Sequence, residues 1–232
     1  MKVIQLFDLA TKYENVRFSP FCWRIKLSLA HKGLEWKDIP VFFTEKHKLP
    51  TPNDQKVPVL VDGDTVIHDS WDIALYLDKQ YTDAPLFDSP ESMSQSLFIK
   101  HWTEASLHAL ISRVGIMDFY EAQPESEQDY FRTSREARFG MTLEQWGGDS
   151  ERYKVELNQA FQPLRMTVSK QAYLGGVAPN FSDYIVFGTL QWLRCGTSVK
   201  VFNPDDPIYD YRERLLDLYD GLGRSGAEYP SH

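Results

Sequence analysis

Between Val3 and Leu9 the chain reads VIQLFDL, a short apolar run bounded by polar residues, and this predicts a first strand. In RFSPFCWRIKLSLAHKG, Arg17–Gly33, the period changes. Phe21, Ile25 and Leu29 recur every four residues with Cys22 and Ala30 beside them, which predicts an amphipathic helix. Ser19 is a preferred N-cap, Pro20 suits the first helical position, and Gly33 suits the residue that ends a helix. LEWKDIPVFF predicts a second strand. The polar segment FTEKHKLPTPNDQ carries two prolines and predicts a loop holding at most a short helix. KVPVLV and DTVIHD are β-branched runs joined through DGD, a hairpin signal. SWDIALYLDKQY then places Ile73, Leu77 and Tyr81 at helical spacing.

The pattern changes after this helix. TDAPLFDSPES, Thr82–Ser92, has two prolines and several acids, as a linker does. Beyond it every periodic segment is helical. Met93–Gln123 predicts one long helix with Phe98, Trp102, Ala105 and Ala109 on one stripe, a core face by spacing alone. Further helical runs are DYFRTSREARFGMTLEQW, ERYKVELNQAFQPLRMTVSKQAYL, FSDYIVFGTLQWLRC and IYDYRERLLDLYDGL. In GGVAPNFSDYIVF, Asn180 is placed to cap a helix with Asp183 three residues on, and Pro179 and Tyr184 are spaced for a hydrophobic staple. The role this gives Asp183 is folding. The expected organisation is a small α/β domain over residues 1–82, a linker over 83–91, and an all-α domain over 92–232.

Composition narrows the function classes. The 232 residues include 42% hydrophobic and 14% aromatic residues, enough for a sizeable core. Lys and Arg total 25 against 33 acids, a formal charge of −8 with no basic stripe, so nucleic acid is not an expected partner. No stretch approaches the ~20 apolar residues of a membrane span, and MKVIQLFDLA lacks the features of a secretion signal. Two cysteines far apart, Cys22 and Cys195, form no disulfide framework. They favour a reducing, cytoplasmic setting. The sequon at Asn180 carries little weight in that setting.

No dinucleotide fingerprint, P-loop, zinc-protease motif or paired C-x-x-C is present. His101, Glu104 and His108 share a helix at spacings too wide for a good metal site, and no metal is expected. Cys195 beside an apolar helix reads as a core thiol. Three features of the first domain converge instead. Ser19-Pro20-Phe21-Cys22 follows a strand with the spacing of a thioredoxin-type C-x-x-C turn, with Ser in the first position. Pro58 stands at the start of a strand, where its missing N–H suggests a special turn with a cis bond. Asp69-Ser70 opens a helix; capping alone accounts for that pair.

In their order these features resemble a glutathione S-transferase, and the resemblance covers nearly the whole chain. VPVLVDGDTVIHDSWDIALYLDKQY resembles the family's most specific segment, and GGVAPNFSDYIVF resembles the helix start in its second domain. SPFCWR and YFRTSREARFG resemble the etherase-like fungal and bacterial members of the serine type. The resemblance implies a thioredoxin-like domain that binds glutathione, an all-helical domain that supplies the electrophile pocket, and a homodimer. It implies that Ser19 stabilises the glutathione thiolate. It places the cysteinyl backbone on Val57 beside Pro58 and the γ-glutamyl end on Asp69 and Ser70. His47, Lys48 and Lys56 are the cations offered to the glycyl carboxylate. A hydrophobic pocket formed by Phe21, Trp23, Trp102, Met117 and Tyr120 would take an aromatic electrophile, with aryl ethers or ketones among those the subgroup implies. Two alternatives stand beside this reading: a non-catalytic carrier of aromatic ligands, and a thiol transferase dependent on Cys22.

Overall fold

In the computed structural model, which describes residues 3–51 and 55–229, the first domain holds a four-stranded mixed sheet. Its strands are β1 (Ile4–Leu9), β2 (Trp36–Val41), β3 (Val59–Asp62) and β4 (Thr65–His68), in the order β2-β1-β3-β4. β1 and β2 run parallel, as a crossover helix between them requires, while β3 and β4 form an antiparallel hairpin. That hairpin turns at Gly63, whose φ of +61° lies in the left-handed region that glycine enters freely. The helices of this domain are α1 (Pro20–His31) and α2 (Ser70–Gln80), and a 3₁₀ turn spans Phe43–Lys48 inside the predicted loop. Pro52, the second proline of that loop, lies outside the described residues.

The chain then turns helical. α3 (Pro90–Trp102) runs into α4 (His108–Glu121) through a π-turn at Thr103–Leu107. α5 (Glu125–Phe139), α6 (Leu143–Gly147), α7 (Ser150–Ala160) and α8 (Gln162–Val168) follow. α9 (Phe181–Gly196) and α10 (Pro207–Leu216) come next, and short helical turns at Leu218–Gly221 and Leu222–Ser225 follow them. No helix among the described residues is long and apolar enough to cross a membrane.

The predicted stripe is out of phase with the core. The buried positions, at ordinary helical spacing, are Ser96, Thr103, Leu107, Ile111 and Val114, whereas Phe98 is 69% exposed and Ala105 also faces outward. Likewise DYFRTSREARFGMTLEQW is two helices. Gly140, at φ +70°, ends α5, and a capping box from Thr142 to Gln145 starts α6.

The hydrophobic core is continuous across both domains, joining Leu6, Ile25 and Leu60 to Ile185 and Phe187 of α9. α9 meets the first turn of α1 at Gly188. A Cβ built there would lie 2.1 Å from the Pro20 carbonyl oxygen, so only glycine allows this approach. The start of α1, where Ser19 sits, is thus held from behind by the helical domain.

Candidate active site

A cleft of about 900 Å³ separates the sheet domain from α3, α4 and α5. One side brings together Ser19, Phe21, Lys56, Val57, Pro58, Asp69 and Ser70, which are far apart in sequence. Ser19 is the N-cap of α1, and its Oγ accepts from the Cys22 amide at 3.3 Å. Capping uses an oxygen lone pair and leaves the hydroxyl proton for donation. The capping and chemical readings of Ser19 are therefore compatible. A partial positive charge from the helix N-terminus reinforces any anion held there.

The Val57–Pro58 peptide bond is cis, and Val57 lies at the cleft edge ahead of Val59, where the β3 ladder begins. Asp69 caps α2: its Oδ1 accepts from the Trp71 amide at 2.8 Å, and its φ is +69°. Ser70 is buried beneath it. The Arg24 guanidinium donates from one Nη1 to Ser70 Oγ at 3.5 Å and to Glu104 Oε1 at 3.0 Å. Lys100 Nζ donates to the other oxygen of Glu104 at 3.1 Å. Charge thus crosses from α1 through the start of α2 to the π-turn of the second domain. Burial lowers the Arg24 pKa, with Glu104 acting against that shift.

The second domain's wall carries His108, Ile116, Phe131, Phe139, Trp146 and Trp192. His108 Nε2 lies 3.2 Å from Thr189 Oγ1, and the ring meets Phe21 and Trp192 edge-on. Burial pushes His108 down to about 3, helped by the charges of Arg24 and Lys100, so the imidazole is neutral at physiological pH. Phe139 and Trp146 stack with ring centroids 3.9 Å apart.

The family model described as "Glutathione S-transferase, N-terminal domain" matches residues 18–80, and that described as "Glutathione S-transferase, C-terminal domain" matches residues 94–200. The chain belongs to the glutathione S-transferase family. Among curated proteins it is similar to "Glutathione S-transferase Z1" of Arabidopsis thaliana, with 44% identity over 69 residues, 27% of this chain and 31% of that protein. It is also similar to a zeta-class glutathione S-transferase of Euphorbia esula, with 36% identity over 70 residues, 28% of this chain and 31% of that protein. These matches span about a third of the relatives' length.

Solved structures extend the likeness over the whole fold. Glutathione transferase GSTFuA3 from Phanerochaete chrysosporium superposes with a TM-score of 0.75 at 21% identity, covering 95% of this chain and 93% of the other. A glutathione S-transferase of Ceriporiopsis subvermispora, solved in complex with glutathione, gives 0.76 at 21% identity, over 94% of this chain and 97% of the other. The thioredoxin-like sheet domain followed by a helical domain is the glutathione S-transferase fold.

Within this glutathione S-transferase fold, some of the expected site residues lie elsewhere. Trp23 is 1% exposed and turned away from the cleft; its Nε1 donates to the Arg17 carbonyl at 2.7 Å and its ring packs edge-on against Phe187. Facing the neighbouring helix on an amphipathic α1 puts Trp23 about two residues out of phase with Phe21, so only Phe21 reaches the cleft. Trp102 and Met117 are half-buried against the core, and Tyr120 sits under Arg132 beside Phe131; none of the three lines the cleft. His47 and Lys48 are exposed on the outer side of the 3₁₀ turn, where Lys48 pairs with Glu45. Lys46 lines the cleft in their place, as does Lys56. Arg24, Glu104 and His108 were not assigned cleft roles from sequence, because a charge on an apolar helix face reads as noise until its partner helix is known.

Cys22 is fully buried one turn inside α1. Burial and the nearby Asp8 carboxylate raise its thiol pKa well above the ordinary value. Alkylation by a thiol reagent is expected to proceed no faster than unfolding, as followed by mass spectrometry across a urea series. Rapid labelling in native buffer would revive the Cys22-dependent thiol transferase.

Proposed function

We propose that the protein is a glutathione transferase of the serine type. The Ser19 hydroxyl donates to the glutathione thiolate, which attacks a hydrophobic aromatic electrophile lying against the second domain. A new C–S bond forms, the leaving group departs with its bonding electron pair, and the thiol proton goes to solvent. The carrying observation is Ser19: the N-cap of α1, lining the cleft with a hydroxyl whose capping bond uses a lone pair and not its proton.

The remaining contacts follow the cleft. Val57 pairs with the cysteinyl backbone as an added strand. Asp69 takes the γ-glutamyl ammonium, and Ser70 with the α2 N-terminus takes its carboxylate. Lys46 and Lys56 replace His47 and Lys48 as the cations for the glycyl carboxylate. Phe21 and neutral His108 form the boundary between the thiolate and the aromatic compartment. Met93, Leu97 and Phe98 expose one apolar face of α3, which supports assembly as a homodimer.

A hydrogen bond to a charged acceptor contributes about 1.5–3 kcal/mol, so Ser19 is expected to lower the bound thiol's pKa by roughly one to two units. In Ser19→Ala the thiolate absorbance of the glutathione complex should titrate that much higher. The fold should lose only about 1 kcal/mol from the missing cap. An unmoved titration curve would leave Ser19 with capping alone. Turnover with any aromatic electrophile separates the enzyme from a non-catalytic carrier.

A further inference from the structure

The half of the cleft away from Ser19 has a charge that the proposed glutathione contacts do not use. Arg135 on α5 lies against two rings that meet each other edge to face, its guanidinium carbon 4.4 Å from the centre of Phe43 and 4.5 Å from that of Phe131. Its hydrogen bond goes from Nη1 to Ser134 Oγ at 2.9 Å. Among the described residues no carboxylate pairs with Arg135 or with its neighbour Arg138. Burial lowers the Arg135 pKa to about 10; Tyr130 opposes the shift and Arg138 adds to it. That is the signature of a cation short of a counter-charge.

The wider charge balance points the same way. The chain carries a net −8, yet among the described residues the cleft is lined by five cations and two carboxylates, Asp69 and Glu104. Glu104 is already shared by Arg24 and Lys100. Lys46 and Lys56 lie on the loop side near Val57. Arg135 and Arg138 remain, on the wall that also carries the stacked rings of Phe139 and Trp146.

We propose that the second substrate is an aromatic acid, its ring lying against Phe139 and its carboxylate accepting from the Arg135 guanidinium, with Arg138 at the mouth. A planar guanidinium packed against two rings is oriented before the ligand arrives, and its fork matches a carboxylate. The proposal rests on the transferase reading for its chemistry and on the cleft alone for its binding.

The test uses a matched pair, 4-chloro-3-nitrobenzoate and 4-chloro-3-nitrobenzamide. Glutathione thiolate attacks the carbon bearing chlorine, the C–S bond forms, and chloride leaves with the C–Cl electron pair. The readout is the acid-to-amide ratio of kcat/KM, each corrected for its uncatalysed rate. Both substrates are measured on the same folded protein, so lost stability does not move the ratio. In Arg135→Gln the ratio is expected to fall about 10-fold or more, in Arg135→Lys less, and in exposed Arg138→Gln less again. Equal losses for acid and amide overturn the proposal. So does a raised KM for glutathione with an unmoved ratio, which would give Arg135 to the tripeptide. If neither compound turns over, the transferase reading fails separately. Quenching of Trp146 and Trp192 fluorescence by the two compounds then decides the binding: tighter acid binding, weakened in Arg135→Gln, supports the assignment, and equal affinities overturn it.

Discussion

Asp183→Ala is expected to cost about 3–5 kcal/mol of stability, the largest loss from any single substitution considered for the helical domain. Asp183 is fully buried at the third position of α9, and its carboxylate accepts from four donors. Three are backbone amides, of Leu174 at 2.7 Å, Gly175 at 3.0 Å and Asn180 at 3.0 Å. The fourth is the Tyr211 hydroxyl at 2.8 Å, from α10. One side chain thus satisfies a loop that has no regular partners and ties it to two helices. Each buried donor left unpaired costs about 1–3 kcal/mol, and water entering the space offsets part of the sum. For a chain of this size the melting temperature should fall by roughly 10 °C. Asp183→Asn should lie between, because its amide keeps one acceptor but turns a donor toward a donor. A denaturant titration giving a loss under about 1 kcal/mol for the alanine variant would show that the Leu174–Asn180 segment is held by something else.

The features legible in the sequence were those whose chemistry is local. The DGD hairpin, the Ser19 cap, the cis bond before Pro58, the Asp69-Ser70 helix start and the Asn180–Asp183 capping box each depend on residues within four positions of one another. The first-domain half of the cleft was readable for the same reason: three local devices on adjacent loops converge once the sheet forms. The π-turn at Thr103–Leu107 was not legible. TEASL contains no glycine or proline, and its register depends on how α3 and α4 pack against α9. The break at Gly140 did leave a signal, a glycine followed by Thr142 and Gln145, and it was read through because the flanking periodicity continues.

The second-domain wall was illegible for a different reason. Ile116, Phe131, Trp146 and Trp192 come from four separate helices, and no spacing in one chain orders them around a common space. Buried charge was hidden in the same way. Arg24 stands on a helix face that is otherwise apolar, and its partner Glu104 lies 80 positions away. That Phe21 lines the cleft and Trp23 does not depends on which neighbour α1 faces, and that is set by the approach of α9 at Gly188.

Asp69→Asn is expected to weaken glutathione binding about 10- to 100-fold with little change in stability. Asp69 has two duties that this substitution separates. As the cap of α2, its oxygen accepts from the Trp71 amide at 2.8 Å, and its backbone holds φ at +69°. Asparagine supports both, since its carbonyl can accept the same bond and it is among the few residues that tolerate positive φ. What it lacks is the negative charge. The carboxylate is exposed in the free protein and, in the proposed complex, would be covered by the γ-glutamyl ammonium, so the lost interaction would be one between charged groups with water excluded. Asp69→Ala should show the same affinity loss. It should also lose about 1 kcal/mol of capping and roughly 1–2 kcal/mol from forcing alanine into the left-handed region. Calorimetric titration with glutathione, paired with thermal unfolding, reads the two duties independently. A glutathione analogue without the α-amino group provides the cross-check: it should bind the parent and the asparagine variant with equal weakness. If Asp69→Asn instead binds glutathione as tightly as the parent does, the ammonium is held elsewhere. Among the described residues the other carboxylate on the cleft wall is Glu104, and it would have to release Arg24 or Lys100 to take that role.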